Sequence, residues 1–260
     1  MLINPYVFGV PWTPSQITTA LWLDAADAST VTTVSGAVSQ WNDKSGNGRN
    51  ATQSTAARRP LYGTILQNGL NTLEFQSANT LWMLLPDTTN PAGSNATFVA
   101  CKANNATPSN FIIGRAYYWG SWYLVSTSTG TAARYAVGRN GIDDAQANVT
   151  SLSNNTDKIF SAIYNKTNVS LSINGGTSAS TAYTQDLVYN SSDLTAIGAA
   201  KDTGSNVASP FNGPMYEIIV LHSAPSTDTR QRIEGYLAHK WGLTANLPSD
   251  HPYKSAAPLV

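Results

Sequence analysis

Short apolar–polar alternations, each closed by a polar turn, constrain this chain more than any other feature. Val169-Ser170-Leu171-Ser172-Ile173 is followed at once by Asn174-Gly175-Gly176. A period of two sends one face of a strand to the core and the other to water. The Asn/Gly cluster supplies the backbone angles of a tight turn. Strands are read at Val38–Trp41, Thr72–Gln76, Leu81–Leu85, Thr97–Lys102, Phe111–Arg115, Trp122–Thr127 and Arg134–Gly138, and several of them share this alternation. Further ones fall at Lys158–Tyr164, Val169–Ile173, Leu194–Ala199 and Met215–His222. Short strands at this spacing specify an all-β fold: a two-sheet antiparallel jelly-roll sandwich.

One segment breaks the pattern. After Ser226 or Thr227, which can cap a helix, Ile233, Leu237 and Trp241 recur every fourth residue with Tyr236 beside them, and Gly242 can end the run. Arg230, Arg232, Glu234, His239 and Lys240 are assigned mostly to the wet side of this C-terminal helix. The tail Leu247–Tyr253 is expected to wrap back onto the sandwich. Residues 1–19, with Pro5, Pro11 and Pro14, read as an extended arm, and residues 20–260 as one sandwich domain with its helix and tail. Pro5, Tyr6, Phe8 and Trp12 are the arm's candidate assembly contacts.

Charge excludes some partners. Asp, Glu, Lys and Arg make up 12% of the chain, against about 25% in an average soluble domain, and the net charge is zero. Arg58-Arg59 is the longest basic run, so the chain lacks the basic face that nucleic acid requires. No stretch is apolar enough for membrane insertion. Met1–Pro14 has no basic region followed by an apolar run, so no signal peptide is expected. The single cysteine, Cys101, sits among apolar residues and reads as a buried thiol.

Leu21–Thr30 and Val38–Thr52 resemble the opening of laminin-G-like, concanavalin A-like domains found in phage structural proteins and bacterial surface proteins. Phe211–His222 resembles the last strand of that family, and Ile233–Tyr253 the helical tail of some members. The resemblance implies the jelly-roll fold. It does not fix the activity, because one fold hosts many.

Catalysis by paired carboxylates needs two acids on one strand face facing a cleft. The chain has only Glu74, Glu217 and Glu234 as glutamates, none with an acidic residue two or four positions away. A β-glucan hydrolase therefore ranks last, and no enzyme is expected. Asp43, Ser45 and Asn47 with Gly48 imitate the first half of a calcium loop, but position twelve is Ser54 instead of a glutamate. The resemblance implies a Ca2+ held by an acidic residue just before Glu217, where this chain has Tyr216. Asp43 and Asn47 are thus read as a local Asx turn first and as a metal site second, and no cofactor is expected.

Tyr117-Tyr118-Trp119-Gly120-Ser121-Trp122-Tyr123 holds five aromatic residues in seven. A strand cannot bury all of them, and exposed rings mark a contact surface. Tyr117, Trp119, Trp122 and Tyr123 are the candidate ligand-binding residues. Together with the resemblance, these features predict a non-enzymatic phage virion structural protein (a head decoration, spike or fibre module) on the virion surface. Its expected partners are other virion proteins or its own copies in a homo-oligomer, and host surface polysaccharide. The alternative is a free carbohydrate-binding module or adhesin of a bacterial surface.

Overall fold

The closing strand of the computed structural model is buried at every one of its nine positions, Gly213–Leu221. Such burial requires cover on both faces and neighbours on both edges. The structure describes residues 9–104, 109–115, 121–127, 132–150 and 152–260. In chain order the first strands are β1 (Leu21–Asp24), β2 (Val31–Val34), β3 (Ala37–Trp41), β4 (Ala51–Thr52), β5 (Leu61–Gln67), β6 (Leu70–Phe75), β7 (Met83–Leu84), β8 (Asn95–Lys102), β9 (Ser109–Arg115) and β10 (Trp122–Thr127). There follow β11 (Ala132–Arg139), β12 (Asp143–Thr150), β13 (Asp157–Tyr164), β14 (Asn168–Ile173), β15 (Ala179–Ala182), β16 (Asp193–Leu194), β17 (Ala196–Ile197), β18 (Ala200–Asp202), β19 (Val207–Ala208), β20 (Gly213–Leu221) and the helix α1 (Thr227–Lys240).

All their pairings are antiparallel. The first sheet runs β5–β6–β20–β8–β13–β14–β15, with β1 on the same edge of β20 as β6. The second runs β3–β4–β7–β17–β9–β10–β11–β12. Strand β3 also pairs with β5, which joins the sheets along one side. This is the expected all-β sandwich with one C-terminal helix. A small third sheet, β16–β18–β19, was not expected.

The first sheet separates two packing zones. Leu21, Leu23, Ile218, Val220, Val99 and Phe160 are fully or almost fully buried and face the second sheet. Cys101 lies on this side, and burial pushes its thiol up to about 12. Residues of opposite parity (Trp22, Asp24, Glu217 and Ser161) face α1. The register confirms it, since Asp24 pairs with Glu217 and Phe98 with Ser161. This double cover explains why β8 and β20 show no alternation.

Helix α1 starts as its sequence specifies: the Ser226 hydroxyl accepts from the Thr229 N–H at 3.1 Å. It stops at Gly242, whose φ of +69° suits a residue without Cβ. Ile233, Leu237 and Trp241 are fully buried, as their spacing predicts. The tail does wrap back: Tyr253 lies so close to Gly235 that a Cβ there would come within 2.4 Å of it.

Two expectations are corrected. Glu234 is not on the wet side; it is fully buried, takes Arg230 at 2.9 Å, and accepts from Ser161 at 2.8 Å. Trp12 is not part of a free arm. Its residue is 5% exposed, its ring meets Tyr236 edge-on at 6.1 Å, and its N–H donates to the Pro258 carbonyl. Pro11 bridges Leu259 and the Val260 N–H donates to the Val10 carbonyl, so residues 10–12 are fastened to the chain's other end. Pro5, Tyr6 and Phe8 lie outside the described residues.

Candidate binding face

The second sheet turns one face to the core and the other outward. Met83, Ile197, Ile113, Leu124, Tyr135 and Ala147 are neighbours across successive strands, and all are buried in the core. The adjacent row, Gln40–Thr52–Leu84–Ala196–Gly114–Tyr123–Ala136–Gln146, must therefore point the other way. The third sheet lies over the middle of this outer face, where Ala200 and Ala208 pack on Phe111, Val125 and Tyr123. Two open areas remain on either side of it.

The first is a depression of about 300 Å³ lined by Trp82, Leu84, Thr52, Gln40, Ser39 and Arg59. Trp82 is half-buried, and its indole N–H has no acceptor among the described residues. The backbone around it is fixed: its N–H donates to the Arg58 carbonyl, and its own carbonyl accepts from the Gln53 amide at 2.8 Å. Arg59 is held by the carbonyls of Gln53 and Ser54 at 2.9 and 3.1 Å, and Gln40 donates to Asn42 at 2.5 Å. The Lys201 ammonium stands 5.9 Å from the Trp82 ring centre. An aromatic ring is thus set among fixed amide, hydroxyl and guanidinium groups. Such a site can stack an apolar ring face and hydrogen-bond its rim.

The second area surrounds Tyr123, which is half-buried and stacked on Phe111 at 6.4 Å. Burial raises its hydroxyl above the usual tyrosine value, and Arg134 opposes that shift. Arg134 donates to Asn148 at 3.0 Å, and Gln146 donates to Asp144 at 2.5 Å. The polar groups beside it are thus paired with one another.

Of the residues singled out from sequence, only Tyr123 is described on this face. Tyr117 and Trp119 lie outside the described residues. Trp122 does not belong to a binding surface: it is fully buried, and its indole N–H donates to Asn90 at 3.0 Å. Trp82, within the apolar strand read at Leu81–Leu85, is the ring that lines the depression. No sequence signal could have shown this, because Leu81–Leu85 is apolar throughout and carries no alternation.

Asp43 and Asn47 close a loop. The Asp43 carboxylate accepts from the Trp22, Ser45 and Arg49 backbone N–H groups and from the Ser45 hydroxyl, at 2.7–3.0 Å. Asn47 turns its amide nitrogen to the carbonyls of Thr19 and Ala20. Tyr216, where the resemblance implies an acidic residue, is buried and donates to Asp157. These donors occupy the oxygens that a calcium ion would need, so the set does not fit that ion. No group of three or more His, Cys, Asp and Glu among the described residues is placed to hold a metal. Glu217 and Glu234 are fully buried, and Glu74 is tied to Thr64 and Gln76.

No protein-family model matches the chain, and no curated protein matches it. Solved structures match it in fold. The binding domain of botulinum neurotoxin serotype G aligns with a TM-score of 0.60 at 10% identity, over 83% of this chain and 50% of that one. The binding domain of Paraclostridial mosquitocidal protein 1 aligns with a TM-score of 0.60 at 11% identity, over 86% and 52%. Botulinum neurotoxin type C, whose passage into cells depends on interaction with two ganglioside molecules, aligns with a TM-score of 0.56 at 10% identity, over 85% and 51%. The chain spans about half the length of these structures. At such identities the likeness carries the fold alone.

Proposed function

We propose that this chain is a non-catalytic binding domain that holds carbohydrate on the outer face of its second sheet, in the depression around Trp82. The observation that carries this reading is the half-buried Trp82 ring, which lines an open depression together with Gln40, Thr52 and Arg59. A pyranose offers the matching surfaces: C–H faces for the ring and hydroxyls for the amide and guanidinium. The ganglioside dependence of botulinum neurotoxin type C supports it by analogy of fold. Burial of Glu217 and Glu234 supports a role without catalysis.

A glycan array followed by titration with the best binder tests the proposal. Binding is expected for the native chain and lost in Trp82→Ala. An array without binders, or a Trp82→Ala variant with native affinity, overturns it.

The setting we propose is display on a particle or cell surface, as in the phage structural and bacterial surface proteins that the terminal segments resemble. Labelling intact particles and host cells with an antibody to the chain distinguishes the two settings. Homo-oligomers, if the display is on a particle, are checked by light scattering. An arm deletion should stop at residue 8, because a longer one cuts into residues 10–12, which pair with residues 258–260.

A further inference from the structure

Outside the second sheet's face, the turn that Asp43 organises forms another depression. It has a volume of about 250 Å³ and is lined by Thr18, Ala20, Asn47, Arg49, His222 and Ser223. It lies where β1 begins and β20 ends, so it is independent of the Trp82 site. Arg49 is anchored there: its backbone N–H donates to Asp43 at 3.0 Å, and one terminal nitrogen donates to the Ala20 carbonyl at 2.5 Å. The Ala20 carbonyl takes one guanidinium donor and the Asp43 contact uses only the backbone, so most of the guanidinium donors stay uncommitted. No carboxylate among the described residues pairs with it, although Arg115, Arg139, Arg230 and Arg232 each have one. Asp43, the nearby acid, already takes four donors from its own turn.

His222 completes the lining. Its Nε2 lies 2.9 Å from the Thr89 carbonyl, an arrangement that places a proton on that nitrogen. Burial lowers the pKa of the ring, and Arg49 adds to the effect. The hydroxyls of Thr18 and Ser223, both exposed, offer further donors. A fixed guanidinium, an imidazole and two hydroxyl-bearing residues line one cavity, and no carboxylate among the described residues lines it with them.

We infer that the Arg49–His222 depression binds an oxyanion, the carboxylate or sulfate group of an anionic ligand. Arginine's fork suits two oxygens of such a group at once. A bound anion would also favour the protonated imidazole, so occupancy is readable at His222 itself.

The test is an NMR titration of the three histidine rings, at constant ionic strength held with sodium chloride. The probes are sodium sulfate and sodium glucuronate, with glucose as the uncharged control. Sulfate, glucuronate or both should shift the His222 signals saturably and raise its pKa, while His239 and His251 stay still. The stronger probe identifies the source of the anion, inorganic or carbohydrate. Arg49→Gln should weaken that binding at least tenfold. Thr18→Leu, which fills the cavity and leaves the Arg49–Ala20 bond in place, should weaken it as well. Thermal unfolding establishes that both variants are folded. If neither anion gives a saturable shift, if glucose shifts His222 equally, or if folded Arg49→Gln and Thr18→Leu bind like the native chain, the inference is overturned. Retention of glycan binding at Trp82 would not rescue it.

Discussion

Around Glu217, two indoles and a phenol give their polar hydrogens to a single carboxylate; around Trp82, an indole of the same kind keeps its N–H without an acceptor. Glu217 Oε1 accepts from Trp22 at 2.7 Å and Tyr236 at 2.9 Å, and Oε2 from Lys240 at 2.7 Å and Trp241 at 2.8 Å. Lys240 also reaches Asp24 at 2.6 Å, and Lys44 closes the far side with Asp24 and Asp27. Burial drives the Glu217 carboxyl upward in pKa, and Lys240 pulls it back. Every strong donor here is spent, and the result is a dry clamp between β1, β20 and α1. The Trp82 area draws on similar side chains, but there the indole N–H is buried without an acceptor among the described residues, and the ring lines an open depression. The same residue types therefore close a core contact in one place and line a surface hollow in the other.

The contrast can be broken most directly at its closed end. Glu217→Leu strands Lys240, two indole N–H groups and a phenol, and should cost roughly 3–5 kcal/mol. For a chain of this size that lowers Tm by roughly 10 °C. Calorimetry showing an unchanged Tm would mean the clamp is not holding the helix. Glu234→Gln keeps the shape but weakens the contacts to Arg230 and His251, and about 1–3 kcal/mol is expected by urea denaturation. At the open end the readouts invert. Trp82→Ala should reduce glycan affinity at least tenfold, about 1.4 kcal/mol, and because the ring is half-buried the fall in Tm that accompanies it should be smaller than that of Glu217→Leu.

The smallest effect belongs to a cluster that is paired yet wet. Arg139 and Tyr183 donate to Asp143, and Arg139 is the larger cause that holds its carboxyl at about 2. Because folding lowers this pKa, the contact stabilises the fold above the ordinary aspartate range. That contribution is lost as pH falls through about 2, and solvent screening keeps it slight. A carboxyl carbon NMR titration should find Asp143 titrating near 2, and a normal aspartate value would show that the contact is not formed in solution.

Alternation and capping were enough to read the sandwich and the helix. Val169, Leu171, Ile233, Leu237 and Trp241 are buried as their spacing requires. Strand β12 was missed because its inward residues, Ala145 and Ala147, are too small to mark a strand. Strand β5 was missed for the opposite reason: exposed Leu66 breaks the pattern, and the strand is largely half-buried or open. The clamp was illegible in principle, since Trp22 and Glu217 are 195 positions apart and no local rule pairs them. Glu234 looked solvated for the same reason, its partners Ser161 and His251 arriving from elsewhere. The outward side of the second sheet was read at Tyr123 and missed at Trp82, where an unbroken apolar run hides which side chain turns outward.

The pairing of residues 10–12 with 258–260 has a further consequence for how this backbone can be rewired. The two ends lie side by side and antiparallel, like a hairpin that lacks only its turn. Joining Val260 to Val10 through a short loop in place of residues 1–9 would close it, and the backbone could then be opened at another exposed turn, such as Asn140-Gly141. Circular permutation of that kind would leave the order of strands in space untouched while changing which of them is made first.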